Sequence, residues 1–168
     1  LPEARALIQR ALELAPGGIT TEGGLDVLAQ EARLKEVISR LADAGIVTSV
    51  FIDAEPEQIE AAARIGARVC EIHTGPYAHA FHAAGRDAEA PAVLVELDKI
   101  RSAGEAVRSL GMRFNAGHAL NYYNVEPIAR LHGIRELHIG HAIVSRAVFV
   151  GLRAAVAEMK RLMREAAQ

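Results

Sequence analysis

Three short stretches of this chain set glutamate, histidine, asparagine and glycine side by side where an apolar run gives out. They are Glu71-Ile72-His73-Thr74-Gly75, Asn115-Ala116-Gly117-His118 and Ile139-Gly140-His141-Ala142. An imidazole titrates near neutrality, a partly desolvated carboxylate can move a proton or stabilise charge, and glycine lets a ligand approach the backbone. Proton transfer and anion binding are therefore the chemistry these stretches can do. Alternation along a strand places Glu71 and His73 on one face, with Cys70 and Ile72 on the other. Upstream, Thr20-Thr21-Glu22-Gly23-Gly24 joins two hydroxyls to free backbone N–H groups ahead of a helical pattern, which suits an anion and equally suits a helix cap.

Each of these residues also has a plainer reading. Glu71 could hold a neighbouring Arg or Lys, His118 could be structural, and Gly117 and Gly140 could be small only for packing. Their shared position at strand exits is what favours chemistry. Gly140 and His141 lie between the final strand and a helix, a place where backbone N–H groups and the helix dipole hold phosphate. His73, His118, His138 and His141 all fall on or just after strands, but no H-x-H or H-E-x-x-H spacing appears, and neither a metal nor another cofactor is expected. His79, His82 and His132 read as solvated.

The elements that must position these residues alternate. Helical spacing runs from Pro2 to Leu14 and from about Leu25 to Ala44; a β-branched run at Val47 to Asp53 precedes a helix from Pro56. Strand Arg68 to His73, a looser segment from Gly75 to Ala90, a helix from Val93 to Leu110 and the Arg113 strand follow. A short helix after Asn124, a strand from Glu136 to Ile143 and one amphipathic helix, Val148 to Met163, complete the chain. Strand and helix in alternation with short connections predict parallel strands joined by right-handed crossovers. No G-x-G-x-x-G follows any strand, and polar residues gather at the exits of several strands, so a (β/α)8 TIM barrel is favoured over a doubly wound sheet. The chain has 168 residues, short of the roughly 250 of a complete barrel. It starts at Leu1, and the expectation is a single domain that forms the carboxyl-terminal part of an incomplete barrel lacking its first strands.

Composition narrows the partners. Nineteen basic residues against 21 acidic ones argue against nucleic acid, no apolar run is long enough to span a membrane, and a lone cysteine, Cys70, fits a buried hydrophobe in a reducing, cytoplasmic setting.

These same strings, Thr20 to Val27, Phe51-Ile52-Asp53, Glu71 to Gly75, Asn115 to His118 and Ile139 to Ile143, closely resemble pyridoxine 5'-phosphate synthases. The order holds from about Ile19 to the end, including Ala147 to Leu152, and corresponds to the last two thirds of a family member. The resemblance implies a (β/α)8 barrel that condenses 3-amino-1-hydroxyacetone 1-phosphate with 1-deoxy-D-xylulose 5-phosphate into pyridoxine 5'-phosphate, inorganic phosphate and water. It implies His118 as proton donor, Glu71 as the carboxylate that stabilises charge, Thr20 as a contact to the deoxyxylulose phosphate, and Ala119, Gly140 and His141 as the seat of the amino-ketone phosphate. It also implies a homo-oligomer. The family's amino-terminal Asn-Ile-Asp-His motif, its His and Arg cluster and a further catalytic glutamate have no counterpart here. Ala119 stands where the family typically has Gly, and Asn121 where it has Thr. The expectation that follows is a chain inactive by itself, with an exposed strand edge prone to association. A phosphosugar isomerase or aldolase barrel, and a non-catalytic remnant that binds phosphate ligands, are the alternatives.

Overall fold

The computed structural model describes residues 23–168. Four strands, β1 (Ser49–Ile52), β2 (Val69–His73), β3 (Arg113–Gly117) and β4 (Ile134–His138), form one parallel sheet in the order β1-β2-β3-β4. Among the described residues, seven α-helices accompany them: α1 (Glu31–Asp43), α2 (Pro56–Arg64), α3 (Gly75–Ala83), α4 (Pro91–Ser109), α5 (Val125–Ala129), α6 (His141–Val150) and α7 (Leu152–Ala166).

The two faces of the sheet have opposite characters because side chains alternate along each strand. One face carries Val50, Ile52, Cys70, Ile72, Phe114 and Ala116, all buried, and it receives α2 over β1 and α4 over β2 and β3. Gly104 of α4 lies so close to the Phe114 ring that any Cβ there would overlap it, which lets the helix sit down on β3. The other face carries Phe51, Glu71, Asn115 and Glu136 in register across all four strands. Farther along, His73, Gly117 and His138 form a second row, and Asp53 lies just beyond the end of β1.

A register shift between β3 and β4 builds that second face. Phe114 pairs with Ile134, yet Asn115 pairs with Glu136, so Arg135 is an extra residue in β4. The bulge aligns Glu136 and His138, and not Arg135 and Leu137, with Asn115 and Gly117.

Several element boundaries differ from the sequence reading. The segment after Gly75 is not loose: Pro76 opens α3, and Tyr77, Ala78 and Phe81 are buried along it. The helix expected from Leu25 is a 3-10 turn, Leu28–Gln30, followed by α1. The last strand occupies Ile134–His138, two residues earlier than expected at its start, and His141 already belongs to a helix. The final helix is two helices, α6 and α7, because Gly151 adopts φ +81° and turns the chain. Past that turn, Ala155 and Met159 are buried, Tyr122 Oη donates to the Ala155 carbonyl at 2.9 Å, and α7 packs on α5 and α6. No described helix is long and apolar enough to cross a membrane.

Candidate active site

The strand exits form two linked clusters. In the first, His73 is buried and its Nδ1 lies 2.8 Å from Asp53 Oδ1, which also accepts from the Gly24 N–H at 3.2 Å. Gly24 itself presses on the β1 backbone so closely that a Cβ would collide with Asp53 N, and Leu25 N donates to the Phe51 carbonyl at 2.7 Å. The His73 ring meets Phe51 edge-on with centroids 5.1 Å apart, and meets His118 edge-on at 4.9 Å. His73 Nε2 is buried, has no hydrogen-bond partner among the described residues, and faces Gly75, where a Cβ would strike it. A cleft of about 350 Å3 lies beside this cluster, lined by Asp53, Glu55, His73, Pro76, Tyr77 and Lys99 among others.

In the second cluster, Glu71 Oε2 is 2.6 Å from His138 Nδ1, and His138 Nε2 is 3.4 Å from Glu136 Oε2. Asn115 Nδ2 donates to Glu136 Oε2 at 3.3 Å, while Asn115 Oδ1 is buried without a partner among the described residues. Burial pulls the His138 pKa down, and the hydrogen bonds and charges of Glu71 and then Glu136 outweigh it, so the imidazolium is favoured above its ordinary range. Glu71 thus holds a histidine and not the Arg or Lys of the plainer reading.

Gly117 joins the clusters. A Cβ on it would overlap Glu71 Oε1 and crowd His138 Cβ and the His138 carbonyl, each 3.0 Å away. The next residue is His118. Both His118 and Ala119 are left-handed, with φ +79° and +58°. For residues with a Cβ that conformation costs about 1–2 kcal/mol each, so neighbours must impose it. Thr74, fully buried, does so from one side: its N–H donates to the Gly117 carbonyl at 2.8 Å, and its hydroxyl lies 2.6 Å from that carbonyl and 2.5 Å from the carbonyl of His118. Asn124 does so from the other, its Nδ2 donating to the Ala119 carbonyl at 3.2 Å and its Oδ1 accepting from Asn121 N at 2.7 Å. Asn124 stands at the start of α5 yet makes no side-chain cap bond to it. Tyr77 Oη in turn donates to the Asn124 carbonyl at 2.9 Å.

Gly140 precedes α6 with no side-chain cap, and both it and His141 are exposed, leaving the first N–H groups of the helix open among the described residues. Thr20 lies outside the described residues. Of the expected residues, Glu71, His118 and Ala119 are brought together around Gly117, and Gly140 with His141 follow β4 at the same end of the sheet. Sequence reasoning gave no site role to Asp53, Asn124 or His138. An Asp directly after a strand was the available signal for the first.

Residues 12–165 match the model of the family described as "Pyridoxal phosphate biosynthesis protein PdxJ". The chain belongs to that family. It is 79% identical over 167 residues to the pyridoxine 5'-phosphate synthase of Azoarcus sp. strain BH72, covering 98% of this chain and 67% of the relative. It is 82% identical over 158 residues to that of Dechloromonas aromatica strain RCB, covering 92% and 63%, and 52% identical over 145 residues to that of Rhodopirellula baltica, covering 86% and 56%. The chain spans about two thirds of the length of the first two relatives, and the similarity begins ahead of Ile19 and takes in nearly all of it. Nothing in these matches supports the expectation that the chain is inactive by itself.

Proposed function

We propose that this chain carries part of the catalytic centre of a pyridoxine 5'-phosphate synthase, the name its relatives bear. The reaction is the condensation of 3-amino-1-hydroxyacetone 1-phosphate with 1-deoxy-D-xylulose 5-phosphate, giving pyridoxine 5'-phosphate, phosphate and water. The sheet is read as a run of consecutive strands from a (β/α)8 barrel. Sequential strand order supports this, since a doubly wound sheet reverses direction at a switch point, and so does the gathering of polar residues at the carboxyl ends.

One observation carries the reading: Gly117 packs against the Glu71 carboxylate and leads directly into His118, so that a carboxylate and an imidazole share one strand exit. Condensation of an amine with a ketone and ring closure require protons to be delivered to departing oxygens and positive charge to be stabilised. His118 is assigned the first task and Glu71 the second. The N–H groups at Gly140 and His141 suit the phosphate of the amino ketone, to which Ala119 is also assigned, and Thr20 is assigned to the deoxyxylulose phosphate. Both substrates are small phosphorylated molecules. The exposed apolar residues of α6, Val148 and Phe149 among them, favour a homo-oligomer, and the single buried thiol favours the cytoplasm.

The test is to supply both substrates and follow pyridoxine 5'-phosphate and released phosphate together. Formation of both, with a loss of about a hundredfold or more in kcat for His118→Ala and near-unchanged substrate affinity, is expected. Turnover that retains every phosphate would indicate an isomerase or aldolase, and ligand binding without turnover a non-catalytic remnant.

A further inference from the structure

Glu71 is hydrogen-bonded at one oxygen and packed at the other. Oε1 rests against Gly117, where a Cβ would displace it, and Oε2 accepts a 2.6 Å hydrogen bond from His138 Nδ1. His138 is itself placed by the β3–β4 bulge, which sets it opposite Gly117, and its far nitrogen is directed at Glu136, the residue that Asn115 also holds. The charged groups facing the imidazole are thus Glu71 from β2 and Glu136 from its own strand. With the Nδ1 proton committed to Glu71, the ring donates along a fixed line, and the carboxylate keeps one orientation without needing a substrate to impose it.

We infer that His138 is a positioning residue for the synthase reaction, orienting the Glu71 carboxylate through its Nδ1 proton. It does not touch the reacting atoms; it acts through Glu71. The inference rests on the proposed function and adds to it a residue to which neither the resemblance nor the comparisons give a role. It also makes a stereochemical demand. The side-chain amide nitrogen of asparagine falls where His Nδ1 lies, whereas that of glutamine reaches to the position of Nε2. Asparagine can therefore replace the bond to Glu71, and glutamine cannot.

The experiment is steady-state kinetics on the full protein with both phosphorylated substrates. His138→Ala is expected to lower kcat about tenfold or more while leaving each KM within about threefold, and His138→Asn to restore kcat to within about threefold of wild type, with His138→Gln staying low. In a Glu71→Gln background, His138→Ala is expected to change kcat by less than about twofold, because a residue acting through another has nothing left to orient. Equal loss in Asn, Gln and Ala variants, or full additivity with Glu71→Gln, overturns the inference. A separate readout distinguishes its failure from that of the synthase reading: the His138 ring titration followed by NMR. If the wild-type protein makes no product, the proposed function falls and the pair is judged on this titration. A midpoint above the ordinary histidine value of about 6.5 that drops in Glu71→Gln sustains the pair, and an unmoved midpoint refutes it.

Discussion

The rings of His73 and His118 meet edge to face, 4.9 Å between centroids, and His73 holds the Asp53 carboxylate 2.8 Å from its Nδ1. Asp53 therefore fixes the orientation of an imidazole that in turn forms one wall for the proposed proton donor. His73→Phe separates the two contributions this makes. Phenylalanine keeps the aromatic edge toward Phe51 and His118 but removes the bond to Asp53. If the polarity of the ring matters, kcat falls by about tenfold with little change in thermal stability. A variant as fast as wild type would reduce His73 to packing.

Thr74 is the buried clamp between the exits of β2 and β3. Thr74→Val preserves shape and leaves the backbone bond from Thr74 N to the Gly117 carbonyl, so the loss is confined to the hydroxyl and the His118 carbonyl it serves. A buried acceptor left unpaired costs about 1–3 kcal/mol. Denaturant unfolding is expected to show a loss in that range, and kcat to fall as His118 leaves its left-handed conformation. Stability unchanged within about 0.5 kcal/mol would mean that water or a shifted backbone replaces the bond.

How much of this was legible beforehand follows from range. Alternation alone put Glu71 and His73 on one face and Cys70 and Ile72 in the core, and the structure agrees on both. The parallel order of strands followed from their alternation with helices. What could not be read depended on partners far apart in the chain or on contrast too weak to see. Asp53 and His73 are 20 residues apart, and Glu71 and His138 are 67 apart. The bulge at Arg135 has no signature in a five-residue strand. Helix α3 was hidden because Gly-Pro-Tyr-Ala-His-Ala-Phe-His-Ala offers small residues on every side and so little amphipathic contrast. The break at Gly151 was hidden for the opposite reason, since the apolar spacing of Val148, Leu152 and Val156 runs straight across it.

Cys70 supplies a test of the sheet's covered face. Burial, with the Glu71 charge as a smaller contribution, pushes its thiol up to about 12. A group favoured in its neutral form by the fold contributes stability while the unfolded thiol is also neutral, and loses it as pH rises above the ordinary thiol range toward 12. In the native protein a thiolate-specific alkylating reagent should therefore react about a hundredfold or more slowly than with the unfolded chain at pH 8, through transient opening alone. Rapid native labelling at that pH would mean that α2 and α4 do not cover the strand as described.

Ala119 separates local backbone strain from chemistry. It holds φ +58°, imposed by Thr74 on one side of the His118–Ala119 link and by Asn124 on the other. A residue with a Cβ pays about 1–2 kcal/mol there, and glycine avoids it but brings about 0.4–1 kcal/mol of extra unfolded-state freedom. Ala119→Gly is therefore expected to be neutral or to stabilise by up to about 1 kcal/mol, against the usual direction of an Ala to Gly change. Because Ala119 is exposed and is assigned to the proposed phosphate seat, the same change should lower KM for the amino-ketone phosphate by a few-fold while leaving kcat near its original value. Thermal unfolding and the two kinetic constants read these effects separately. Destabilisation by about 1 kcal/mol, the ordinary cost of glycine, would show that the left-handed backbone at this link is relaxed and not imposed.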